Sequence, residues 1–402
     1  MTNGNYRRRS TTASVNVSTQ RAATGHHAMK AIAGGATDDI LATVGSHSPR
    51  LADNLVHHAF GSVITDAALG RDARELATLV MLGALGGCED QLRAHLGFAF
   101  DAGLSLEEIV AAAEQVSVYA GYPRALSMLR LVREVSAARG ETPCAAAPFR
   151  MRDHATGVLD SSGDKPPMVL IHALGLDARM WSRTLPMLTP HFRVIAYDLR
   201  GFGQSAFAPP VRDLSHYAED VADLLERLDL PRAHVTGLSL GGSIGLQLAL
   251  DRPDLVSSLT VVAATAWSFP AFEERARAAE AEGMEAQVLP SLTRWFRDGD
   301  LAVNAWPVRY ARNCIRRTAT ADWSAGWRTL AGLSLEHRLQ DIEAPMRIIA
   351  GEHDASTPPR LMKGLLTGPR RDLTVIPGAP HMLALTHPRE LAEAIAAAPR
   401  VG

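Results

Sequence analysis

The stretch HVTGLSLGGSIGLQLAL, residues 234–250, constrains this chain more than any other. An apolar run ends on Gly237-Leu238-Ser239-Leu240-Gly241 and leads straight into a helical pattern. Strand, G-x-S-x-G and helix in that order describe a nucleophile elbow, a sharp turn that lifts a serine hydroxyl out of the backbone. Glycine two residues before and two after Ser239 is needed because such a turn presses neighbouring backbone together and leaves no room for Cβ atoms.

The chain around the elbow has the matching texture. Short unalternating apolar runs, PMVLIHA, FRVIAYD, AHVTGLS, LTVVAAT, MRIIAGE and LTVIPG, alternate with amphipathic stretches such as DLSHYAEDVADLLERLDL. That pattern predicts a parallel sheet covered by helices on both faces. Two more residues follow the serine in a telling order. MRIIAGEHDASTPP places Asp354 just past a buried strand, and VIPGAPHMLALTHP places His381 in the loop after the next one. In this reading His381 takes the proton of Ser239, while Asp354 fixes the imidazole tautomer and supports its positive charge. Glu352 and His353 are the weaker alternatives in the same loop. Oxyanion donors are expected from the N–H of Leu240, which follows the nucleophile, and of Leu174 in the loop HALGLDARMW. His172 is expected to brace that loop, and Trp181 either packs it or contacts substrate. DLRGFGQS, 198–205, reads as a tight turn whose Arg200 is structural or faces an anionic ligand.

The first part of the chain is of another kind. PRLADNLVHHAFGSV, DARELATLVMLGALGG, EDQLRAHLGFAFDAG, SLEEIVAAAEQVSVYAG and PRALSMLRLVREVSAARG carry apolar residues three or four apart, and most end on a glycine. Ser105 and Glu108 form an S-x-x-E capping box. These segments predict a compact all-α unit. GETPCAAAPF breaks the pattern, so the expected division is a disordered polar tail over 1–26, an all-α domain over 27–139, a linker over 140–148 and the α/β domain over 149–402. The tail is rich in Ser, Thr and Arg without acids, which also matches a transit peptide superficially; its composition cannot bury a core.

Lys plus Arg number 41 against 43 Asp plus Glu, so no global field recruits nucleic acid or an anionic membrane. No run of eighteen apolar residues exists to span a bilayer. The three cysteines are Cys88, Cys144 and Cys314, an odd and scattered set that argues against a disulfide framework or a Cys-rich metal site and suits a reducing cytoplasm. No metal and no cofactor are expected, and the partner expected is a small lactone or carboxylate.

Ser239, Asp354, His381, HALG and DLRGFGQS together resemble the α/β-hydrolase family over about 149–401. More narrowly, the segments RARAAEAEGMEAQVLPSLTRWFRDGDL and WRTLAGLSLEHRLQDIEAPMRIIAGEHD are similar to the enol-lactonase branch, which acts on 3-oxoadipate enol-lactone; the resemblance implies a helical cap over roughly 266–338. Residues 27–139 resemble the carboxymuconolactone decarboxylase family in AFGSV, RELATLVMLGALGG, QLRAHLGFAFDAGLSLEEI and YAGYPRAL. That family includes alkylhydroperoxidase D-like members, which use C-x-x-C followed by His. Here Gln91 stands where the second Cys would be, so Cys88 is a bystander and the resemblance points to His95. His95 also shares a helical face with Leu92, Leu96 and Ala99, so a satisfied core histidine is the competing reading.

The two resemblances imply successive steps. The helical domain would decarboxylate 4-carboxymuconolactone, with His95 delivering a proton to the carbanion and Arg74, Glu75 and Tyr119 joining its pocket. The hydrolase would then open the enol-lactone. The helical domain leads here, whereas comparable fusions carry the hydrolase first. The alternative is therefore a tailoring enzyme of secondary metabolism, acting on a different ester or lactone, with the helical half as a second catalytic or an oligomerisation module. Homo-oligomerisation through the helical domain is implied by the same family. Arginines of the cap, among them Arg294, Arg297, Arg309, Arg312, Arg316 and Arg317, suit a carboxylated substrate or are simply solvated.

Overall fold

Residues 11–139 and 146–397 are described by the computed structural model, with side chains from residue 19 onward. Cys144 lies outside the described residues. The chain divides into two compact units, Met1–Glu141 and Thr142–Gly402.

The first unit is all-helical. Helix α1 covers Thr11–Ala33, α2 Ala36–His47 and α3 Pro49–Asn54, which continues as a π-helical segment over Leu55–Ile64. Helices α4 (Arg71–Leu85), α5 (Glu89–Asp101), α6 (Leu106–Ala120) and α7 (Tyr122–Ala138) follow. Leu79, Leu96, Ile109, Val116, Met128 and Leu131 are buried among α4 to α7. Burial of such side chains stabilises by ~1.5–3 kcal/mol each. The capping box of α6 is formed, Ser105 and Glu108 each bonding the other's backbone N–H.

The expectation of an unstructured tail to residue 26 is corrected for the described part of that segment. Helix α1 runs through it, with Met29 buried and Gly25 so close to the π-helical segment that a Cβ there would overlap the carbonyl oxygen of Val56. Packing against a partner helix overrides the polar composition of α1. The π-helical turn over Leu55–Ile64 also departs from the single helical pattern that the spacing through AFGSV predicts.

The second unit is built on one eight-stranded sheet of order β1-β2-β4-β3-β5-β6-β7-β8. Its strands are β1 (Ala147–Arg150), β2 (Ala155–Asp160), β3 (Pro167–Ile171), β4 (Arg193–Tyr197), β5 (Ala233–Leu238), β6 (Val256–Val262), β7 (Met346–Gly351) and β8 (Arg371–Ile376). The antiparallel β1–β2 hairpin lies at one edge, with β2 antiparallel to β4; every other pairing is parallel. Strands β3 to β8 are the six apolar runs read from the sequence, and all of β3, β5 and β6 but their first residues or a single polar position are buried. Helix α8 (Leu185–Leu188) is a single turn, α9 (Leu214–Arg227) links β4 to β5, and α10 (Leu240–Asp251) leaves the elbow. Between β6 and β7 comes a run of helices, α11 (Pro270–Glu282), α12 (Met284–Trp295), α13 (Asp298–Val303), α14 (Trp306–Arg317) and α15 (Thr320–Ala331). An antiparallel bridge between Trp267 and Ser334 closes this insertion at its base. Helices α16 (Pro359–Met362), α17 (Leu383–Thr386) and α18 (Pro388–Ala396) complete the unit.

Candidate active site

At the end of β5 the backbone turns on Ser239 with φ 55° and ψ −118°, a conformation costly for a residue with a Cβ. Tight packing imposes it. A Cβ on Gly237 would overlap the carbonyl oxygen of Gly241, and one on Gly241 would overlap that of Ile171 at the end of β3. The Ser239 N–H donates to the carbonyl of Val262 at the end of β6 (2.9 Å), which ties the turn to the neighbouring strand.

Ser239, His381 and Asp354 form one hydrogen-bonded line. The serine Oγ lies 3.1 Å from His381 Nε2, and His381 Nδ1 lies 2.8 Å from Asp354 Oδ2. His381 and Asp354 are buried. Burial pushes the Asp354 carboxyl upward, but His381 and the donors of Thr357 outweigh it and hold the acid below its ordinary value. Oδ1 accepts from the backbone N–H of Ser356 (2.7 Å) and of Thr357 (2.8 Å), and Oδ2 also accepts from the Thr357 hydroxyl (2.8 Å). Glu352 instead accepts from Gly378 N–H (2.8 Å), bracing the loop that carries His381, and His353 is exposed beside it.

Leu240 opens α10, so its N–H sits at a helix N-terminus where negative charge is favoured. Leu174 lies in the loop after β3. Among the described residues neither N–H has an acceptor. The loop is anchored from several sides. Buried His172 donates from Nδ1 to the Ala173 carbonyl (2.8 Å) and accepts at Nε2 from Leu199 N–H (2.8 Å); burial pulls its pKa down to about 4, so the ring stays neutral. Asp177 accepts from Arg179 and from the hydroxyl of Tyr310 on α14 (2.8 Å), which fastens the loop to the inserted helices. Asp198 accepts from Ala178 N–H (2.8 Å) and Gln204 N–H (2.7 Å), joining the loop to the turn of DLRGFGQS. Burial, with Asp177 close by, raises the Asp198 carboxyl to about 6. Arg200 is buried in a salt bridge to Asp220 (2.7 Å) and Asp153 (3.0 Å), the structural alternative of the two the sequence left open. Those two acids with His154 are the one cluster among the described residues whose donor atoms lie close enough to share an ion, and the Arg200 guanidinium already donates to both carboxylates. Trp181 is wholly buried and its indole N–H has no acceptor.

In the helical unit His95 Nδ1 lies 2.9 Å from Glu75 Oε2, joining α5 to α4. Glu75 is buried, His95 is 30% exposed, and Phe98 stacks edge-on against the imidazole. The pair is a buried acid orienting a solvent-reachable imidazole. Arg74 and Tyr119 are not brought to it. The Arg74 guanidinium donates to the carbonyls of Asp66 (2.8 Å) and Leu69 (3.4 Å). Tyr119 is 83% exposed at the end of α6, and Met81 and Leu85 of α4 and Tyr122 and Leu126 of α7 are exposed as well. Cys88 is the residue before α5 and does not cap it with its side chain; its thiol donates instead to the Leu82 carbonyl (3.4 Å).

Sequence reasoning missed Thr357, Asp177 and Asp198, which position the candidate catalytic groups. The run Asp354-x-x-Thr357 carries a signal, because a threonine three residues after an aspartate can close a turn on its carboxylate.

Comparison with known proteins agrees with this architecture. The family described as alpha/beta hydrolase fold matches residues 166–388, more than half of the chain, and the carboxymuconolactone decarboxylase family matches residues 49–134. The 3-oxoadipate enol-lactonase 1 of Acinetobacter baylyi is 33% identical over 194 residues, which cover 48% of this chain and 73% of that protein. A solved hydrolase from Pseudomonas aeruginosa PA01 is similar with a TM-score of 0.59 at 30% identity, covering 62% of this chain and 96% of its own. The enol-lactonase from Burkholderia xenovorans LB400 has the same TM-score of 0.59 at 24% identity over 62% of this chain and 98% of its own, a likeness of fold alone. Among the described residues no helix is long and apolar enough to cross a membrane. The chain belongs to the α/β-hydrolase fold family, as a hydrolase of the lactonase and esterase kind with a carboxymuconolactone decarboxylase family domain fused ahead of it.

Proposed function

We propose that the protein performs two successive steps, decarboxylation of 4-carboxymuconolactone in the helical domain and hydrolysis of the resulting 3-oxoadipate enol-lactone in the α/β domain. The observation that carries the reading is the line Ser239–His381–Asp354 beside the N-terminus of α10. Ser239 attacks the lactone carbonyl while His381 Nε2 takes its proton. The N–H groups of Leu240 and Leu174 receive the negative charge that develops on the carbonyl oxygen. Collapse expels the ring oxygen as an enolate, a good leaving group, and His381 protonates it. Water, deprotonated by His381, then releases the acyl group from Ser239.

In the helical domain the lactone loses CO2, and its electron pair delocalises onto the lactone carbonyl. His95, oriented by Glu75, returns a proton to the carbanion. The half-exposed imidazole on a buried carboxylate supports that role better than a core histidine, which would be covered. The exposed apolar residues at the ends of α4, α6 and α7, Tyr119 among them, support assembly of the helical domain with further copies.

Supplying 3-oxoadipate enol-lactone to wild type, Ser239→Ala and His381→Ala tests the hydrolytic half. Ring opening is expected from wild type and a loss of at least about a thousandfold in either variant. Equal rates in Ser239→Ala and wild type overturn it.

A further inference from the structure

The helices between β6 and β7 are rich in arginine, and nearly every one of these side chains has an internal partner. Arg316 pairs with Glu285 (2.6 Å), Arg277 with Glu273 (2.9 Å) and Arg328 with Glu280 (2.6 Å), while Arg312 donates to the Asn304 side chain (2.8 Å). Arg275 and Arg294 differ. Both are half-buried, and among the described residues neither has a carboxylate within ion-pair distance. Arg294 donates from Nη2 to Ser291 (3.1 Å), but its Nε is buried with no acceptor. Arg275 lies with Cζ 4.7 Å above the Trp327 ring and 5.7 Å from that of Phe272. Burial, then the charge of Arg275, lowers the Arg294 guanidinium to about 10. Glu274 acts on Arg275 only through space, without an ion pair, and two half-buried cations lacking an ion-paired acid are an arrangement that favours an incoming anion.

The surroundings connect this pair to the catalytic line. Trp323, on α15, lies against Gly175, the neighbour of Leu174, so closely that a Cβ there would overlap the indole, and Gly326 lies against Leu174 itself. Trp323 packs on Trp327 with ring centroids 6.0 Å apart and on Trp295 at 6.3 Å. Trp295, the residue after Arg294, accepts at its carbonyl from the N–H of Met382, next to His381 (3.3 Å). The indole N–H groups of Trp323 and Trp327 are buried with no acceptor. Trp323, Trp327 and Trp295 thus form one aromatic wall that touches the Leu174 loop and is tied by a backbone bond to the residue after His381; Arg275 covers its Trp327 ring and Arg294 precedes Trp295.

We propose that Arg275 and Arg294 are the anchor for a carboxylate carried by the acyl part of the substrate, remote from the bond that Ser239 attacks. The inference rests on the hydrolytic reading of Ser239 and deepens it by assigning the specificity-determining residues. Guanidinium forks match a carboxylate in geometry, and the aromatic wall matches the carbon chain that links it to the reacting carbonyl. An anionic substrate offsets the positive charge that burial leaves without an ion-paired acid on these arginines, which a neutral ester of the same shape cannot do.

Binding to the Ser239→Ala protein tests the anchor without turnover. Calorimetry with monomethyl adipate, dimethyl adipate and inorganic phosphate separates the cases, the last reporting an anion pocket indifferent to the acyl chain. Monomethyl adipate is expected to bind at least about tenfold more tightly than either. The preference over the dimethyl ester falls to within about threefold in Arg275→Gln and in Arg294→Gln, while the lysine replacements keep part of it, since charge survives and the fork is lost. Equal binding of the two esters, phosphate binding as tight as monomethyl adipate, or an unchanged preference in both glutamine variants overturns the proposal. Hydrolysis of the esters by wild type is read separately: if neither is cleaved while the preference in Ser239→Ala stands, the anchor holds and the role of Ser239 falls.

Discussion

Thr357→Val removes one hydroxyl and little volume, and the geometry sets what that should cost. Asp354 takes four hydrogen bonds: two backbone N–H groups on Oδ1, and the Thr357 hydroxyl and His381 on Oδ2. Valine deletes one charge-assisted bond to a carboxylate that is 3% exposed, so water does not replace it easily. Such a bond is worth about 1.5–3 kcal/mol. If the loss falls on the orientation of His381, kcat/KM for the enol-lactone drops roughly ten- to hundredfold, at about 1.4 kcal/mol per decade. The variant should also melt lower, in a pH-dependent way. Because the Asp354 carboxyl is held below its ordinary value, its bonds stabilise the fold above the unfolded pKa of about 3.9, and that contribution is lost as pH falls through the lower folded value. The melting gap between wild type and variant is therefore widest near neutrality and closes in acid. Thr357→Ser, which keeps the hydroxyl, should recover most of the rate. A Thr357→Val enzyme with wild-type kcat/KM and an unchanged melting temperature at neutral pH would refute this role for the threonine.

Asp198 carries the opposite linkage. Its carboxyl is raised to about 6, so protonation favours the folded state, and stability of up to about 3 kcal/mol is lost as pH rises from near 4 through 6. Asp198→Asn has no such titration, and thermal melts should show wild type gaining on it as pH falls from 7 to 4; a pH-independent gap would count against the raised acid. Glu75→Gln keeps the shape but loses the charge facing His95, and CO2 release should fall roughly ten- to hundredfold while ring opening of supplied enol-lactone is untouched. Tyr119→Glu with Leu126→Glu places charge on the exposed apolar ends of α6 and α7, and light scattering should report a smaller particle than wild type if copies meet there.

The parallel strands were legible because each is an unbroken apolar run, and the elbow because its glycines are required by contact with β3 and with each other. The β1–β2 hairpin was not. Ala155–Asp160 is short, contains Gly157, and owes its place to antiparallel pairing with β4, a tertiary contact that leaves no local mark. Helix α1 escaped notice for the same reason: its sequence is polar, and what holds it is the close approach of Gly25 to the chain near Val56. At the candidate sites, the elbow motif singled out Ser239, and position after successive strands in the right chain order singled out Asp354 and His381. The contact of Glu75 with His95 depends on how α4 crosses α5, which periodicity does not report. Arg275 sits in a stretch, EERARAAEAE, that reads as a solvated helix; only the missing acid partner and the Trp327 ring beneath it set it apart.

The most direct test follows both products from one substrate. Wild type, Ser239→Ala and His95→Ala are incubated with 4-carboxymuconolactone while CO2 and ring-opened acid are measured separately. Both products are expected from wild type, CO2 with accumulating enol-lactone from Ser239→Ala, and neither product from His95→Ala. Wild-type protein that leaves the lactone intact, or a Ser239→Ala protein that still delivers the ring-opened acid at the wild-type rate, would contradict the two-step function.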